Sequence, residues 1–487
     1  MSALLSEADL NDFISPGLAC VKPTESKKIS VDADEREIQV GKEPDELEKV
    51  SITLQDCLAC AGCITSSEEI LLSRQSYSVF MDSWQTLAGE MVLAVSISPQ
   101  GRLSLANYFQ MGLDQLDLCL LNFFKSYFGC KYFVGTQMGR NITISRTNQV
   151  LQERKTSGES AAKPMLSAVC PGFVLYAEKT KPELVPYLLN IKSPQQITGS
   201  LLKDSVPQDE KVYHLAIMPC FDKKLEASRP DGEQEVDCVI TPKELVTMLQ
   251  ELNVDFAAFQ TADTNIVNEL SPPGWDPLLH WSSNEGSSSG GFAYQYVSEL
   301  QKTHPGSRLL VLPGKNSDVR EYRLVEATAG HQPSTIASSS ELYGFRNIQN
   351  MVRRLTSARR AKPRTVRALR KRTTTPEHQQ QPPEHRLPEA DPYNCDFIEV
   401  MACPGGCING GGLLNSDIHG EAAPNRKRDA IDKMNKLYAS QLTTIDAATV
   451  GKRLDELSRS SARQYVYEFN PIVPAPDDNI VSVANTW

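Results

Sequence analysis

Two groups of cysteines carry most of the chemistry that this sequence can do. The first surrounds "CLACAGC" at residues 57–63, a C-x2-C-x2-C run of Cys57, Cys60 and Cys63, with Cys20 upstream. A cubane iron–sulfur cluster needs thiolates that converge on one small volume, and two-residue gaps in a tight turn bring three of them there. The local backbone cannot wrap the whole cube, so the fourth ligand must come from elsewhere. Cys20 is the nearby cysteine left to supply it. A structural zinc site also uses C-x2-C, usually as one of two separate pairs. Three cysteines at two successive gaps fit iron–sulfur better.

The second group is spread over three segments. Cys170 lies in "LSAVCPGF" (166–173), Cys220 in "AIMPCFDKKLEASR" (216–229), and Cys403 and Cys407 in "EVMACPGGCINGGG" (399–412). Each thiol stands where an element ends and a turn begins, which is where α/β folds gather their sites. Glycines 405–406 and 410–412 let backbone approach a bulky inorganic core and offer N–H donors to sulfides. Four thiolates from three segments would make a closed, buried site. Taken singly, a Cys-Pro pair reads as a small buried thiol ahead of a turn. That reading is kept for Cys119, Cys130, Cys238 and Cys395. The seven histidines show no paired ligand spacing.

The elements that must position these thiols alternate between strand and helix. "KVSITL" (49–54), "MVLAVSIS" (91–98), "YHLAIMPC" (213–220) and "RLLVLPG" (308–314) read as strands, with a turn at Pro99-Gln100-Gly101. "LDQLDLCLLNFFKSYFG" (113–129) has helical spacing. "TPKELVTMLQEL" (241–252) reads as a helix capped by Thr241, with Pro242 at its first position and Glu244 closing a capping box. The alternation implies an α/β architecture. "NEGSSSGG" (284–291) is a loop without the Lys-Ser/Thr ending of a P-loop, so no nucleotide site is assigned to it.

The whole chain sets the context. Its 487 residues suffice for two or three domains, and its composition, 40% hydrophobic and 23% charged, is that of a soluble globular protein. No run approaches the roughly 20 apolar residues that span a bilayer. The start "MSALLSEADLNDFISPGLACVKP" has neither the basic-then-apolar pattern of a signal peptide nor an Arg-rich transit pattern. The expected compartment is the cytosol, with the nucleus left open as a second. There, clustered thiols serve as metal ligands or catalysts rather than disulfides. A net charge of −10 argues against general nucleic-acid binding. Residues 353–390 are basic, then Gln/Pro-rich, and read as a solvated flexible insertion, with a nuclear-localisation or acidic-partner patch as the functional alternative.

In order and context, the second cysteine group resembles the three signature motifs of the [FeFe]-hydrogenase family: T-S-C-C-P-G-W, M-P-C-x-x-K-K-x-E and E-x-M-A-C-x-x-G-C-x-x-G-G-G. The second and third match nearly letter for letter. "GSSSGGFAYQYV" and "VDCVITPKELVTML" look like further stretches of the same catalytic domain. The likeness runs from about residue 90 to 440, interrupted by the basic insertion. Two departures stand out. The cysteine that in hydrogenases relays protons is replaced by Val169, and the motif's closing Trp by Phe173. Lys223 keeps the position that contacts the di-iron unit. "KYFVGTQMGRNITISR" (131–146) departs from the family's Asp-Thr-Thr-like run. The N-terminal region is too short for the electron relay of larger hydrogenases.

These features are similar to the eukaryotic hydrogenase-like branch, the cytosolic iron–sulfur protein assembly factors related to nuclear prelamin A recognition factor. The start of the chain looks like the fungal members. The resemblance implies a two-lobed [FeFe]-hydrogenase-like α/β domain with helix-flanked sheets, and a small ferredoxin-like N-terminal segment. It implies two [4Fe–4S] clusters, one on Cys20, Cys57, Cys60 and Cys63 near the surface, the other on Cys170, Cys220, Cys403 and Cys407 between the lobes. The implied role is non-enzymatic: linking an early P-loop NTPase scaffold to a late targeting complex with a WD40-repeat protein, for delivery to cytosolic and nuclear apoproteins. Trp487, closing "ANTW", is a docking candidate. The alternative is a redox enzyme that retains a di-iron subsite, motivated by Lys223. The expected division is 1–80 for the cluster-binding segment, 81–352 and 393–455 for the hydrogenase-like lobes, 353–392 for the insertion and 456–487 for the C-terminal segment.

Overall fold

The computed structural model describes residues 20–21, 51–52, 75–157, 164–206, 210–230, 232, 234–326, 334–360, 388–414, 424–445, 450 and 466–472. The two strands near the N-terminus, β1 (Cys20–Val21) and β2 (Ser51–Ile52), pair antiparallel with Cys20 opposite Ile52. Cys57, Cys60, Cys63 and Trp487 lie outside the described residues, as does most of the basic insertion. Residues 353–360 continue a helix, α10 below.

The first lobe is built on β3 (Val92–Ile97), β4 (Tyr132–Gly135), β7 (Val212–Ile217) and β8 (Cys238–Ile240), in the order β4-β3-β7-β8 and all parallel. Its helices are α1 (Tyr77–Leu87), α2 (Pro99–Phe109), α3 (Leu113–Phe128), α4 (Gln137–Thr156), α6 (Pro194–Asp204), α7 (Asp222–Ala227) and α8 (Pro242–Glu251). Every residue of β4, β7 and β8 is buried. A parallel sheet covered on both faces produces this, and it explains why these strands read as apolar runs rather than alternations. On α3, Leu116, Leu120, Phe123 and Phe124 are wholly buried. Each contributes about 1.5–3 kcal/mol.

The second lobe carries β5 (Met165–Ser167), β6 (Leu188–Leu189), β9 (Ser307–Pro313), β10 (Val319–Glu326), β11 (Ser334–Tyr343) and β12 (Phe397–Met401) in the order β6-β5-β12-β11-β10-β9. The first four of that order run parallel; β10 and β9 are antiparallel additions. The helices α5 (Pro171–Lys179), α9 (Phe292–Thr303) and α10 (Phe345–Arg360) pack against this sheet. The later helix α11 (Pro424–Gln441) contacts α2 and the segment Cys407–Asn409. Among the described residues no helix is long and apolar enough to cross a membrane.

One expectation is corrected. Pro99-Gln100-Gly101 is not a turn but the first turn of α2. Ser98 caps it, its Oγ accepting from the Gly101 N–H at 3.2 Å, and Pro99 sits where a missing N–H costs nothing. The Thr241 capping box forms as read, with the Glu244 N–H donating to Thr241 Oγ1 at 3.3 Å and the Thr241 N–H to the Glu244 carboxylate at 2.9 Å.

Candidate metal centre

Strand ends from both sheets deliver the second cysteine group. Cys170 caps α5, three residues past β5, with Pro171 at the first helical position. Cys220 follows β7 after Met218-Pro219 and precedes α7. Cys403 lies two residues beyond β12, and Cys407 opens the short 3-10 turn Cys407–Asn409. β5 and β12 are paired neighbours in one sheet, and β7 is an interior strand of the other. Hydrogen bonds from backbone N–H groups connect them. The Ala402 N–H points at Cys170 Sγ at 3.4 Å, and the Gly412 N–H donates to the Pro219 carbonyl at 3.0 Å. The Cys407 N–H donates to Ser289 Oγ at 2.9 Å, while Cys407 Sγ lies 3.8 Å from Met401 Sδ. Gly406 has φ +82°, and a Cβ there would collide with Ser289 Oγ and stand 3.3 Å from the Tyr343 ring.

The electrostatics show that all four thiols share one place. Burial pushes the Cys170 thiol up to about 12, with the charges of Cys407 and Asp222 adding to the effect. Burial likewise drives Cys220 well up, helped by Asp222, Cys403, Cys407 and Cys170. Cys403 is raised by burial, then by Cys170, Cys407 and Asp222. Cys407 is raised by burial, against the lowering pull of Ser289, Lys223 and Arg140. Each of the six pairs among the four cysteines is therefore close enough to oppose joint ionisation. They are partly accessible, whereas Cys119, Cys130, Cys238 and Cys395 are buried.

This donor set fits an iron–sulfur cubane. Four thiolates cannot coexist here without a compensating cation, and iron supplies that charge as the protons leave. Among the described residues no three His, Cys, Asp or Glu side chains converge tightly enough to hold a single metal ion. A four-iron cluster, whose ligands stand around a cube, does not require such close convergence, whereas a zinc ion does.

Sequence reasoning named all four thiols and Lys223 but missed their surroundings. Lys223 Nζ donates to both Glu226 oxygens at 2.9 Å and to the Val169 carbonyl at 3.2 Å. Glu226 also accepts from the Ser193 hydroxyl and the Gln195 amide. Desolvation pushes Asp222 up to about 6, against the pull of Lys223. Arg140, buried on α4, donates to the Tyr438 hydroxyl at 2.8 Å. It falls within the stretch 131–146 that departs from the hydrogenase family's run. Ser289 falls in the loop 284–291, which has no P-loop ending, and its hydroxyl accepts from the Cys407 N–H. Of the first cysteine group only the Cys20 backbone is described, so the structure does not test that ligand set.

Comparison with known proteins adds three findings. Residues 91–411 match the family described as the iron only hydrogenase large subunit, C-terminal domain. Over the full length of both chains the sequence is 54% identical to the cytosolic Fe-S cluster assembly factor NAR1 of Saccharomyces cerevisiae, and 52% identical to that of Kluyveromyces lactis. Among solved structures it resembles an [FeFe]-hydrogenase at a TM-score of 0.57 and 17% identity, covering 81% of this chain and 99% of that one. It also resembles a variant of apo [FeFe]-hydrogenase HydA1 from Chlamydomonas reinhardtii at 0.54, with 17% identity and the same coverage. At this identity the likeness is one of fold.

Proposed function

The chain belongs to the cytosolic Fe-S cluster assembly factors, built on the iron-only hydrogenase large-subunit domain, and from that premise we propose that it carries two [4Fe–4S] clusters and acts as an adaptor in cytosolic iron–sulfur protein assembly. The observation that carries the proposal is the convergence of Cys170, Cys220, Cys403 and Cys407 from three segments and both sheets. These four would hold the buried cluster, and Cys20, Cys57, Cys60 and Cys63 the outer one. The pairing of Cys20 with Ile52, five residues before Cys57, supports Cys20 as the fourth outer ligand. A bound cluster supplies reversible one-electron chemistry or a transferable iron–sulfur unit.

The chain's own groups then have defined tasks. Ser289 holds the Cys407 turn, Arg140 and Lys223 offset thiolate charge at Cys407, and the Ala402 N–H points at Cys170 sulfur. The adaptor would link a P-loop NTPase scaffold to a WD40-repeat protein of the targeting complex, with Trp487 as a docking residue. It works in the cytoplasm and serves nuclear apoproteins as well.

No hydrogen chemistry is assigned. The Lys223 ammonium donates three times within the chain, twice to Glu226 and once to Val169. Val169 stands where a proton-relaying cysteine would be needed, and valine carries no proton. The deciding experiment is iron and acid-labile sulfide per chain on anaerobically purified protein, with EPR of the reduced sample. About eight of each, with interacting reduced spectra, is expected. About four would remove one of the two clusters, and zinc in place of iron would overturn the proposal.

A further inference from the structure

Residues 466–472 cross the back of the centre. Glu468 forms an antiparallel bridge with Ile191. The Lys192 N–H donates to the Tyr467 carbonyl at 2.8 Å, and the Phe469 N–H to the Asn190 carbonyl at 3.0 Å. The Asn190 side-chain amide returns a bond to the Phe469 carbonyl at 3.0 Å. The segment is thereby fixed to the chain between β6 and α6.

From that anchor its residues reach both lobes. Arg146 of α4 stacks over the Tyr467 ring at 4.3 Å. Phe469, 5% exposed, packs with Ala168 and Val174, which flank Cys170 in sequence. Arg229, two residues past α7, lies 5.2 Å from the Phe469 ring and donates to the Asn470 carbonyl at 3.1 Å. Arg229 also pairs through two bonds with Glu178 of α5, at 2.9 and 3.0 Å. The Ile472 N–H donates to the same carboxylate at 2.7 Å.

These contacts converge on two helices that matter. α5 is capped by Cys170 and packs on the second sheet; α7 starts two residues after Cys220 and follows the first. Arg229 and Glu178 join the two directly, and the segment covers that joint. Beneath Phe469 runs a slot with about 20 Å³ of free volume, lined by Ala168, Pro171, Val174, Leu225 and Glu226 among others. That is room for about one water molecule. Of its lining residues, Pro171 follows Cys170 directly, and Glu226 is the carboxylate that holds Lys223.

We propose that residues 466–472 form a clasp that locks α5 to α7 behind Cys170 and Cys220, and that its release is the step that opens the buried cluster to exchange. The second half rests on the cluster assignment made above. The first half stands on the protein contacts alone. Local openings of this kind involve segments with few buried anchors, and Phe469 is the one buried side chain of residues 466–472.

The test compares the anaerobically purified full chain with Phe469→Ala and with a chain lacking only Trp487. Two readouts are taken: the rate at which a ferrous chelator removes the slowly released iron, and amide hydrogen exchange in peptides spanning 166–179 and 217–230. Phe469→Ala is expected to start with unchanged iron, to release the slow fraction about tenfold faster, and to raise exchange in both peptides together. Removal of Trp487 is expected to change neither readout, which separates the clasp from any docking by the terminus. Unchanged exchange in either peptide would overturn the clasp. Raised exchange with an unchanged release rate would overturn its role in opening the cluster. If the wild type holds no slowly released iron, the cluster assignment fails and exchange alone decides the clasp. Should Phe469→Ala not fold, Glu178→Gln, which removes the charge paired with Arg229, is read the same way.

Discussion

Lys223 is bound to Glu226. Its ammonium sits 2.9 Å from both carboxylate oxygens, with the two side chains 11% and 6% exposed. Breaking a buried pair from one side leaves the other charge uncompensated, at about 3–5 kcal/mol. Lys223→Met is therefore expected to lower stability by that order, with Glu226 left to Ser193 and Gln195. Adding Glu226→Gln is expected to recover most of the loss. Urea unfolding of the single and double variants is the check; a double variant as unstable as the single would show that the pair is not coupled.

The two cysteine groups predict different consequences for iron and for folding. Cys403→Ala removes one of four ligands that tie three segments together, so buried iron is lost and the melting temperature falls by at least about 5 °C. Cys60→Ala is expected to lose about half the iron and leave the melting temperature near that of the wild type. Iron analysis beside calorimetry separates the two, and equal thermal effects would contradict the division.

Glu341 and Glu399 face each other across the parallel pair β11–β12, both buried. Tyr322 donates to Glu341 at 2.7 Å, and half-exposed Arg320 lies 3.6 Å away; Tyr343 and Ser287 donate to Glu399 at 3.0 and 3.1 Å. Burial, then the Glu399 charge, pushes Glu341 up to about 7. A carboxyl raised on folding favours the folded state at low pH, and that contribution is lost as pH rises from about 4.5 through 7. Glu341→Gln should abolish this loss. Relative to the variant, the wild type is expected to lose stability as pH rises from about 4.5 through 7. Parallel stability curves for the two proteins would refute the assignment.

Gly406 takes φ +82° against Ser289 and Tyr343. Gly406→Ala adds both left-handed strain, of order 1–3 kcal/mol, and a collision with the hydroxyl that holds Cys407. Loss of slowly released iron with secondary structure intact is expected, measured by iron release and far-UV circular dichroism. Ser289→Ala, which removes the same bond without strain, should show the milder form of the same loss.

The sequence alone determined the thiol inventory, the strand runs, the capped helix at Thr241 and the family likeness. Each is local: a motif, a period or a cap is written in adjacent residues, and "MPCFDKKLE" needs no partner to be read. It misread Pro99-Gln100-Gly101 because proline and glycine signal a turn and a helix start alike, and only Ser98 Oγ on the Gly101 N–H decides between them. Tertiary structure decided what surrounds the thiols. Arg140, Ser289 and the α7 pair Asp222 and Glu226 reach the centre from three places in the chain, and residues 466–472 lie over it from some 300 residues beyond Cys170. The reason is physical. Burial and charge proximity depend on how crossovers fold two sheets against each other, and no spacing within one segment encodes the distance between strand ends that belong to different lobes.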